Sequence, residues 1–502
     1  MKKYAIIIVI LLSWIIVLPN IFNFVPYDYD IFIRFNNSGY WYNELKEVPF
    51  AKFILNDEGL AFESYFLRYL EDIDYSNGTN KNVFLSALAS DVLFVAKGIE
   101  LSAENLISFD ANYYIDILKT LSKDSALIFK TDKPVDVIRY FSNLIGYKIK
   151  TEGNIYILGD SIFSKSIDDY LILAGSKNAL EYIINVYNSP EFQFKSKFSD
   201  LFEDLNFNGK YWISGYSKGD AIKLNFPVEA LEDDVKTEYI KFSGIVDNSV
   251  LRINVLQKTN KEQPKSTLNE DLMEKIPVLG NYFAGISIND SLNVMKILEQ
   301  WTITSDSTNL EKLYDLTSSI LKNATSTFYV VGDIGDSATN LSVAFLFKLS
   351  DGLEDIEKTI KKYSGRFDDK EDQWIIDVSE EYKVFFYEFD QFFVVSNIDK
   401  ETYSRKAKIQ RLMDLAAYNY LDKQRSYNIK IFLDLGDFIQ KFLGIKINSK
   451  LIFWEEKDGY FIKYYLDIMW LSIVLFISEK ISLTFLSPFI MIKLDFVFAI
   501  SI

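Results

Sequence analysis

The pentapeptide 215–219 spells the G-x-S-x-G pattern that surrounds the nucleophile of many hydrolases, with Ser217 at its centre. In that arrangement a histidine accepts the serine proton, and none of the 502 residues of this chain is a histidine. A similar stretch later in the chain keeps the glycine-aspartate pair but has Asp434 in place of the serine. We therefore interpret Gly219 and Asp220 as a turn, with the aspartate capping a short helix, and assign Ser217 no catalytic role.

Ser319 and Lys322 form an S-x-x-K pair, which can work without histidine because a buried lysine can accept a proton. The Ser-Asp-Asn and Lys-Thr-Gly partner motifs of penicillin-binding proteins are absent from the chain. The pair ends an amphipathic pattern, so we interpret Lys322 as a last-turn lysine that favours the helix dipole.

Two acidic stretches carry oxygen ligands of the kind that hard cations prefer. They are Asp72, Asp74 and Asn77 in the first, and Asp368, Asp369, Glu371 and Asp372 in the second. Neither has the spacing of a calcium loop, and the second stretch lies in a predicted hairpin loop. Solvated charge is the favoured interpretation of both.

Aromatic residues cluster at 40–42 and 385–387, where they could line a ligand groove. We favour a core position for both clusters, because aromatic residues in strands usually pack inside.

The composition excludes several classes of chemistry. The absence of cysteine rules out disulfides and thiol chemistry, and a net charge of −16 argues against nucleic acid as a partner. No residue is assigned a catalytic, cofactor-binding or metal-binding role.

An export segment opens the chain. Lys2 and Lys3 precede a run that is apolar from Tyr4 to Leu18 apart from Ser13. With residues 21–25 added, the run is long enough to cross a bilayer, and no Ala-x-Ala-like cleavage site follows it. The positive-inside rule predicts a single-pass anchor in the inner membrane, with the bulk of the chain extracytoplasmic.

The strongest organisational signal is an internal duplication of strand and helix patterns. The matched segments of the first copy are 30–35, 126–130, 155–158, 170–173, 211–213 and 219–222. Their counterparts in the second copy are 282–288, 344–348, 374–377, 392–395, 429–431 and 436–439. Each copy is expected to close with a hairpin, one turning at Asp247-Asn248 and the other at Asp458-Gly459 with a type I′ turn.

Local signals predict how the helices begin and end. Pro134 suits the first turn of a helix in the first copy, and Ser176 is placed to lead into the helix after 170–173. In the second copy Ser350 is the predicted N-cap and Gly365 the predicted stop of the helix between them.

These patterns predict an α+β fold with two tandem duplicated modules, mainly antiparallel sheets, helices packed on one face and one N-terminal transmembrane helix. The predicted divisions are 1–25 for the signal-anchor segment, 26–256 for copy 1, 257–275 for a polar linker, 276–468 for copy 2, and 469–502 for a hydrophobic tail. The tail could be membrane-associated, add strands, or lie outside the evolved fold.

In this organisation the chain resembles exported, membrane-anchored bacterial proteins of unknown function that are built from duplicated α+β modules. The resemblance implies an envelope location and transfers no functional residue. Three function classes follow: a non-enzymatic protein that binds or scaffolds an envelope partner, a carrier or sensor of an apolar or lipid-like ligand, and a carboxylate-dependent hydrolase. We expect the first, because a duplicated module doubles a surface without needing a reactive centre.

Overall fold

The computed structural model divides the chain into two units, each built on antiparallel strands. Unit 1 comprises Met1–Glu44, Phe62–Lys223 and Lys241–Ile245, and unit 2 comprises Leu45–Ala61, Leu224–Ile240 and Val246–Ile502. The residues that the structure describes are 20–48, 52, 55–57, 61–98, 101–102, 123–204, 211–223, 235–247, 250–263, 276–280, 282–287, 308–334, 341–350, 352–377, 383–407, 429–434, 436–437, 440 and 450–468.

Among the described residues of unit 1, eight strands are joined by antiparallel pairings in the order β9-β1-β2-β4-β8-β7-β6-β5. The strands are β1 (Ile31–Phe35), β2 (Val92–Ala96), β4 (Ser125–Lys130), β5 (Ile149–Glu152), β6 (Ile155–Leu158), β7 (Ile162–Ile167), β8 (Tyr170–Ala174) and β9 (Ile213–Lys218). Two short strands, β3 (Leu101–Ser102) and β10 (Ile222–Lys223), form a separate parallel pair.

In the described part of unit 1, several α-helices accompany this sheet. They are α1 (Ser38–Glu47), whose residues from Leu45 onward belong to unit 2, α2 (Phe62–Asn77), α3 (Lys81–Ala89), α4 (Pro134–Ile145), α5 (Lys177–Asn188), α6 (Phe194–Lys197) and α7 (Ser199–Asp204).

Helices cover both faces of the unit 1 sheet. Helices α2, α3 and α4 share one buried cluster with Leu171 and Leu173 of β8. Tyr170, whose side chain points to the other face of the same strand, instead contacts Phe24, and Phe24 stacks on Tyr187 of α5. The expectation of helices on one face is therefore wrong for unit 1, because β8 is apolar on both sides and both sides need cover.

The first described residues pack inside unit 1. Ile21–Phe24 forms a 3₁₀ turn in which Phe22 and Phe24 are buried, and Phe22 lies edge-on to Phe32 of β1. The sequence analysis counted 21–25 with the membrane segment, whereas the structure buries these side chains in the protein core. Residues 1–19 lie outside the described part of the chain. Among the described residues, no helix is both long and apolar enough to cross a membrane.

Unit 2 contains eleven strands, again paired antiparallel throughout, in the order β12-β22-β21-β20-β13-β14-β15-β19-β18-β17-β16. These are β12 (Val250–Thr259), β13 (Tyr282–Ser287), β14 (Ala324–Ile334), β15 (Leu341–Leu349), β16 (Arg366–Asp368), β17 (Gln373–Asp377), β18 (Lys383–Phe389), β19 (Phe392–Ser396), β20 (Ile429–Asp434), β21 (Lys450–Asp458) and β22 (Phe461–Ile468). Strand β11 (Thr237–Asp247) has residues in both units.

The helices of unit 2 whose bounds the structure describes include α8 (Thr308–Asn323), α9 (Leu353–Lys362) and α10 (Lys400–Ala407). Helix α10 buries Tyr403 and Ala407 against β14, β15 and β19, where Tyr329, Leu346 and Val394 form the core. Helices α8 and α9 contact each other. The mixed α+β class with antiparallel sheets is thus the fold of both units.

The unit boundary falls earlier in the chain than the sequence analysis places it. Strand β12, expected to close the first copy at residue 256, pairs with β22 and belongs to unit 2. The predicted linker 257–275 begins inside β12, and its residues 264–275 lie outside the described part, as do 288–307, the turn position Asn248 and the tail 469–502.

Two helix-terminus predictions are confirmed. Pro134 is the first residue of α4, and the hydroxyl of Ser176 accepts the backbone N–H of Ala179 at 3.0 Å. The caps of α9 differ from the prediction. Gly352, with a left-handed φ of 91°, is its N-cap, because Ser350 donates instead to the carbonyl of Asn323.

The end of α9 and the last hairpin also differ in detail. The left-handed residue after α9 is Ser364, with a φ of 62°, while Gly365 donates its N–H to the carbonyl of Ile360. In the β21–β22 hairpin Asp458 pairs with Phe461, and Gly459 has a positive φ whereas Tyr460 does not. This excludes type I′, which needs a positive φ at both loop positions, and fits type II′.

Candidate functional site

Ser217 lies inside strand β9, opposite Ile31 of β1, and is fully buried. Both glycines of its motif have structural explanations. A Cβ at Gly215 would lie 2.2 Å from Cζ of Phe242 and 2.8 Å from the carbonyl oxygen of Phe32. Gly219 has a left-handed φ of 54° and begins a 3₁₀ turn, Gly219–Ala221. The pattern is a strand followed by a turn and presents no exposed hydroxyl.

In the second stretch the cap comes from a different residue than the sequence analysis expected. Asp434, at the end of β20, accepts the backbone N–H of Asp437 at 3.2 Å. A cap must precede the helical turn whose N–H it accepts, so Asp434 performs the role that we assigned to the aspartate of the Gly-Asp pair.

The Ser319–Lys322 pair lies in the last turns of α8, where Ser319 is half-buried and Lys322 is exposed. Ser319 Oγ lies 3.3 Å from Thr359 Oγ1, which donates to it. Hydrogen bonds from Lys362 and Tyr363 lower the pKa of the nearby Asp315, and the charge of Lys322 adds a smaller effect in the same direction. An exposed lysine of this kind lacks the burial that would make it a base.

The first acidic stretch joins two helices. Asp74 Oδ1 accepts the Thr79 hydroxyl at 3.2 Å, and its Oδ2 accepts the backbone N–H of Lys81 at 2.8 Å. Gly78, with a φ of 62°, ends α2 directly before these partners. The N-cap of α3 is Asn80, whose Oδ1 accepts the backbone N–H of Asn82 at 2.9 Å, and Asp74 adds a carboxylate that satisfies the first N–H of the helix.

The second acidic stretch forms the loop between β16 and β17, as predicted, since Asp368 pairs with Gln373. Glu371 pairs with Lys370 at 3.0 Å and Asp372 with Lys400 at 2.8 Å. Within the described part of the chain, no group of three acidic side chains is placed to hold a metal ion.

The two aromatic clusters have different environments. Phe386 and Tyr387 of β18 are buried, and Tyr387 packs 5.9 Å from Tyr403. Residues 40–42 lie on helix α1 rather than on a strand; there Trp41 is buried and Tyr40 is exposed.

A surface that the motif search did not find lies on the neighbouring helix α2. Tyr65 is 69% exposed, and Phe66 and Tyr69 are each 37% exposed. We call these three residues the α2 aromatic surface. Tyr65 and Tyr69 are four residues apart, so their side chains lie side by side along the helix.

Helix α2 is held rigidly beneath this surface. Leu70 is fully buried, and its carbonyl accepts the hydroxyl of Tyr140 at 3.0 Å. Tyr140 in turn stacks on Phe84 of α3, with ring centroids 5.1 Å apart. The exposed side chains thus stand on a helix whose inner face is locked into the core.

Charged groups border the α2 aromatic surface. Burial, with the nearby Glu63 of α2, raises the pKa of Tyr42 on α1. Arg68 is exposed one turn along the helix, and Glu71 pairs with Lys81. Three exposed aromatic rings within a charged border have the composition of a protein-binding surface.

The sequence contains one signal for this surface. Residues 62, 65, 66 and 69 are all aromatic and follow helical spacing. Such spacing normally indicates a buried face. In the structure, however, helix α2 buries Leu70, so Tyr65, Phe66 and Tyr69 of this stripe face solvent.

Buried polar groups in unit 2 form a second cluster. Lys457 lies 3.5 Å from Glu455, and Tyr464 donates its hydroxyl to Gln257 Oε1 at 3.2 Å. The amide of Gln257 donates to Thr237 Oγ1 at 2.9 Å. Tyr464, Gln257 and Thr237 thus satisfy one another, which is the usual condition of buried polar side chains, while Glu455 forms an ion pair with Lys457.

The comparisons with known proteins provide little information. No protein-family model and no curated protein matches the chain. Solved structures similar to it include crystal form I of TP0453, with a TM-score of 0.27, 8% identity, and coverage of 51% of this chain and 83% of that chain. Crystal form III of TP0453 has a TM-score of 0.25, 10% identity, and coverage of 47% and 78%.

Proposed function

We propose that this chain is a non-enzymatic protein of the bacterial cell envelope, anchored in the membrane by its N-terminal segment, whose extracytoplasmic body binds a protein partner. The observation that carries the proposal is the α2 aromatic surface, with Tyr65 69% exposed on a rigid helix. Large aromatic side chains grouped on the surface mark interaction sites more often than single exposed apolar residues do.

The chemistry of the three side chains defines the partner. Tyrosine and phenylalanine are enriched at the centres of protein interfaces, because they bury a large area at low cost in side-chain entropy. Tyr65 and Tyr69 also have hydroxyl groups that need hydrogen-bond acceptors once water is excluded. We therefore propose an envelope protein with an apolar groove that carries acceptor groups.

The proposed location rests on the sequence pattern at the N-terminus. Lys2 and Lys3 precede the apolar run Tyr4 to Leu18, and acidic residues begin at Asp28. Because the structure buries Ile21, Phe22, Phe24 and Val25 in unit 1, this run by itself is shorter than the about 17 residues that cross the hydrocarbon core, so the proposed span is completed by the flanking residues 1–3 and 19–20. Positive charge before an apolar segment favours a cytoplasmic N-terminus. Protease added to cells with a permeabilised outer barrier should digest the body, and complete protection would contradict this location.

We further propose that the two units derive from one duplicated module. The supporting observation is their strand order: β9-β1-β2-β4-β8-β7-β6-β5 in unit 1 parallels β20-β13-β14-β15-β19-β18-β17-β16 in unit 2. Helix α4 after β4 and α5 after β8 have counterparts in α9 after β15 and α10 after β19. A crystal structure with equivalent strands in a different order or direction would contradict the duplication.

The test of partner binding uses a photo-crosslinking amino acid in intact cells. Placed at Tyr65, it should give one discrete cross-linked species. Tyr75, on the same helix and 95% exposed, provides the matched control position and should give none. The substitution Tyr69→Ser should abolish the product at 65. Equal cross-linking at both positions, or none at 65, would contradict the proposed surface.

A further inference from the structure

The chain enters unit 1 without a spacer. The apolar run ends at Leu18, and only Pro19 and Asn20 separate it from Ile21, which is buried. Asn20 is ordered as a cap, since its Oδ1 accepts the backbone N–H of Phe22 at 3.1 Å. The membrane or other surroundings that hold the apolar run 4–18 therefore lie next to the surface of unit 1 near Ile21.

The entering segment is fastened to the chain that follows α5. Phe194 donates its N–H to the carbonyl of Val25 at 2.8 Å, and Tyr27 donates to the carbonyl of Phe192 at 3.0 Å. Side chains reinforce the pairing, because Lys195 Nζ donates to Asn23 Oδ1 at 2.5 Å. These contacts make the surface around the entry point rigid.

The side chains exposed at this point combine aromatic rings with lysines. Tyr27 is 37% exposed and Phe192 is 36% exposed. The ammonium group of Lys197, itself exposed, lies 6.0 Å from the centre of the Tyr27 ring. Lys195 is half-buried, and burial lowers its pKa. We call Tyr27, Phe192, Lys195 and Lys197 the entry surface.

Acidic groups lie nearby, but one of them is already paired. Asp28 accepts hydrogen bonds from Lys97 and Tyr182. Glu191 is exposed beside Phe192.

We propose that the entry surface lies in the headgroup layer of the membrane that holds the N-terminal segment. This inference rests on the proposed membrane anchoring and adds which face of unit 1 contacts lipid. Leu18 and Ile21 are three residues apart, so the chain separates them by at most about 10–11 Å. The headgroup layer is about 5–8 Å thick on each side of the hydrocarbon core. Ile21 and the side chains bonded to the segment that follows it therefore lie within that layer or at its outer edge.

The chemistry of the entry surface suits this layer. Tyrosine is enriched at membrane interfaces, where the ring contacts acyl chains and the hydroxyl stays hydrated. A lysine near anionic lipid is attracted by the negative surface potential of the headgroups. Because the chain as a whole carries a net charge of −16, anionic lipid repels most of its surface. A local pair of lysines would then set the orientation of unit 1.

The absence of cysteine from the chain allows a direct test with single-cysteine variants of the full-length protein. Phe192→Cys and Lys197→Cys are each labelled with an environment-sensitive fluorophore and placed in vesicles of phosphatidylcholine and phosphatidylglycerol. A nitroxide on the lipid headgroup reports contact by quenching. Tyr75→Cys is the control, since α2 packs on the face of the unit 1 sheet opposite to Phe24.

Labels at 192 and 197 should lose most of their fluorescence to the headgroup nitroxide, and the label at 75 should keep it. Adding Lys197→Glu to the 192-labelled protein should reduce the quenching. Floated vesicles that carry the protein but leave 192 and 197 as bright as 75 would overturn the entry surface alone. Protein that does not float with the vesicles would overturn the anchoring as well.

Discussion

Arg34 and Asp91 form an ion pair in unit 1, with Arg34 Nη2 2.9 Å from Asp91 Oδ2. The pair links the centre of β1 to the residue that precedes β2. The same nitrogen donates to Asn36 Oδ1 at 2.9 Å, and the guanidinium lies 4.9 Å from the ring centre of Phe22. Arg34 is buried, so its charge depends on partners such as these.

Replacing Asp91 with Ala should destabilise the protein by about 2 kcal/mol, because it leaves a buried guanidinium without its carboxylate. Urea unfolding measures the change. Asp160→Ala, which breaks the solvent-exposed pair with Lys150, is the matched control and should leave the unfolding midpoint unchanged. Equal midpoints for both variants would show that the buried pair contributes nothing.

Gly215→Ala should cost about 1–3 kcal/mol, the usual range for overpacking, because the new Cβ would overlap Phe242 and the Phe32 carbonyl. Thermal unfolding checks the prediction. Combining it with Phe242→Leu should recover part of the loss, since one of the two clashes is then relieved. Full stability of Gly215→Ala alone would contradict the proposed reason for this glycine.

Ser217→Ala should leave partner cross-linking at position 65 intact, because the serine is fully buried and lies in a strand. A fluorophosphonate probe should not label the wild-type protein. Labelling that disappears in Ser217→Ala would restore a serine hydrolase as the leading function.

The ionisation of Asp28 should make the stability of the protein depend on pH. Burial by itself would raise the pKa of Asp28, but hydrogen bonds from Lys97 and Tyr182 bring it below its ordinary value of 3.8. A lowered pKa in the folded state stabilises the protein above the pKa of the unfolded chain, and the contribution is lost as the pH falls through the folded value. Wild type should therefore exceed Asp28→Asn in stability at pH 6, by about 1 kcal/mol, and the difference should shrink as the pH falls below 3.8.

Chemical unfolding at several pH values measures this difference, and Tyr182→Phe, which removes one of the two bonds, should show a smaller effect. A gap between wild type and Asp28→Asn that persists unchanged at pH 3 would exclude ionisation as its cause.

The two sides of helix α2 should respond differently to truncation. Leu70→Ala should cost about 2–5 kcal/mol, because it opens a cavity in the core, whereas Tyr65→Ser should change stability by less than about 0.5 kcal/mol. Urea unfolding curves of the two variants measure the change in the free energy of unfolding. A large loss for Tyr65→Ser would mean that the tyrosine supports the fold and would remove it from the binding surface.

Local signals in the sequence predicted many elements because their causes are local. The apolar segments 126–130 and 344–348 lie in β4 and β15, and Pro134 and Ser176 begin their helices as expected. The predicted N-cap at Ser350 is wrong because of a contact with a distant part of the chain. The carbonyl of Asn323, on another element, captures its hydroxyl, and Gly352 takes the cap position.

Sequence by itself determined the alternation of apolar residues along the strands, and hence the α+β class, and it excluded histidine and thiol chemistry. Tertiary structure decided where each apolar face finds its partner. Phe22 and Phe24 belong to the core of unit 1, Tyr65 and Tyr69 face solvent, and β12 pairs with β22. The reason is that periodicity shows which side of a helix or strand is apolar, while only contacts between distant segments determine which apolar sides are covered.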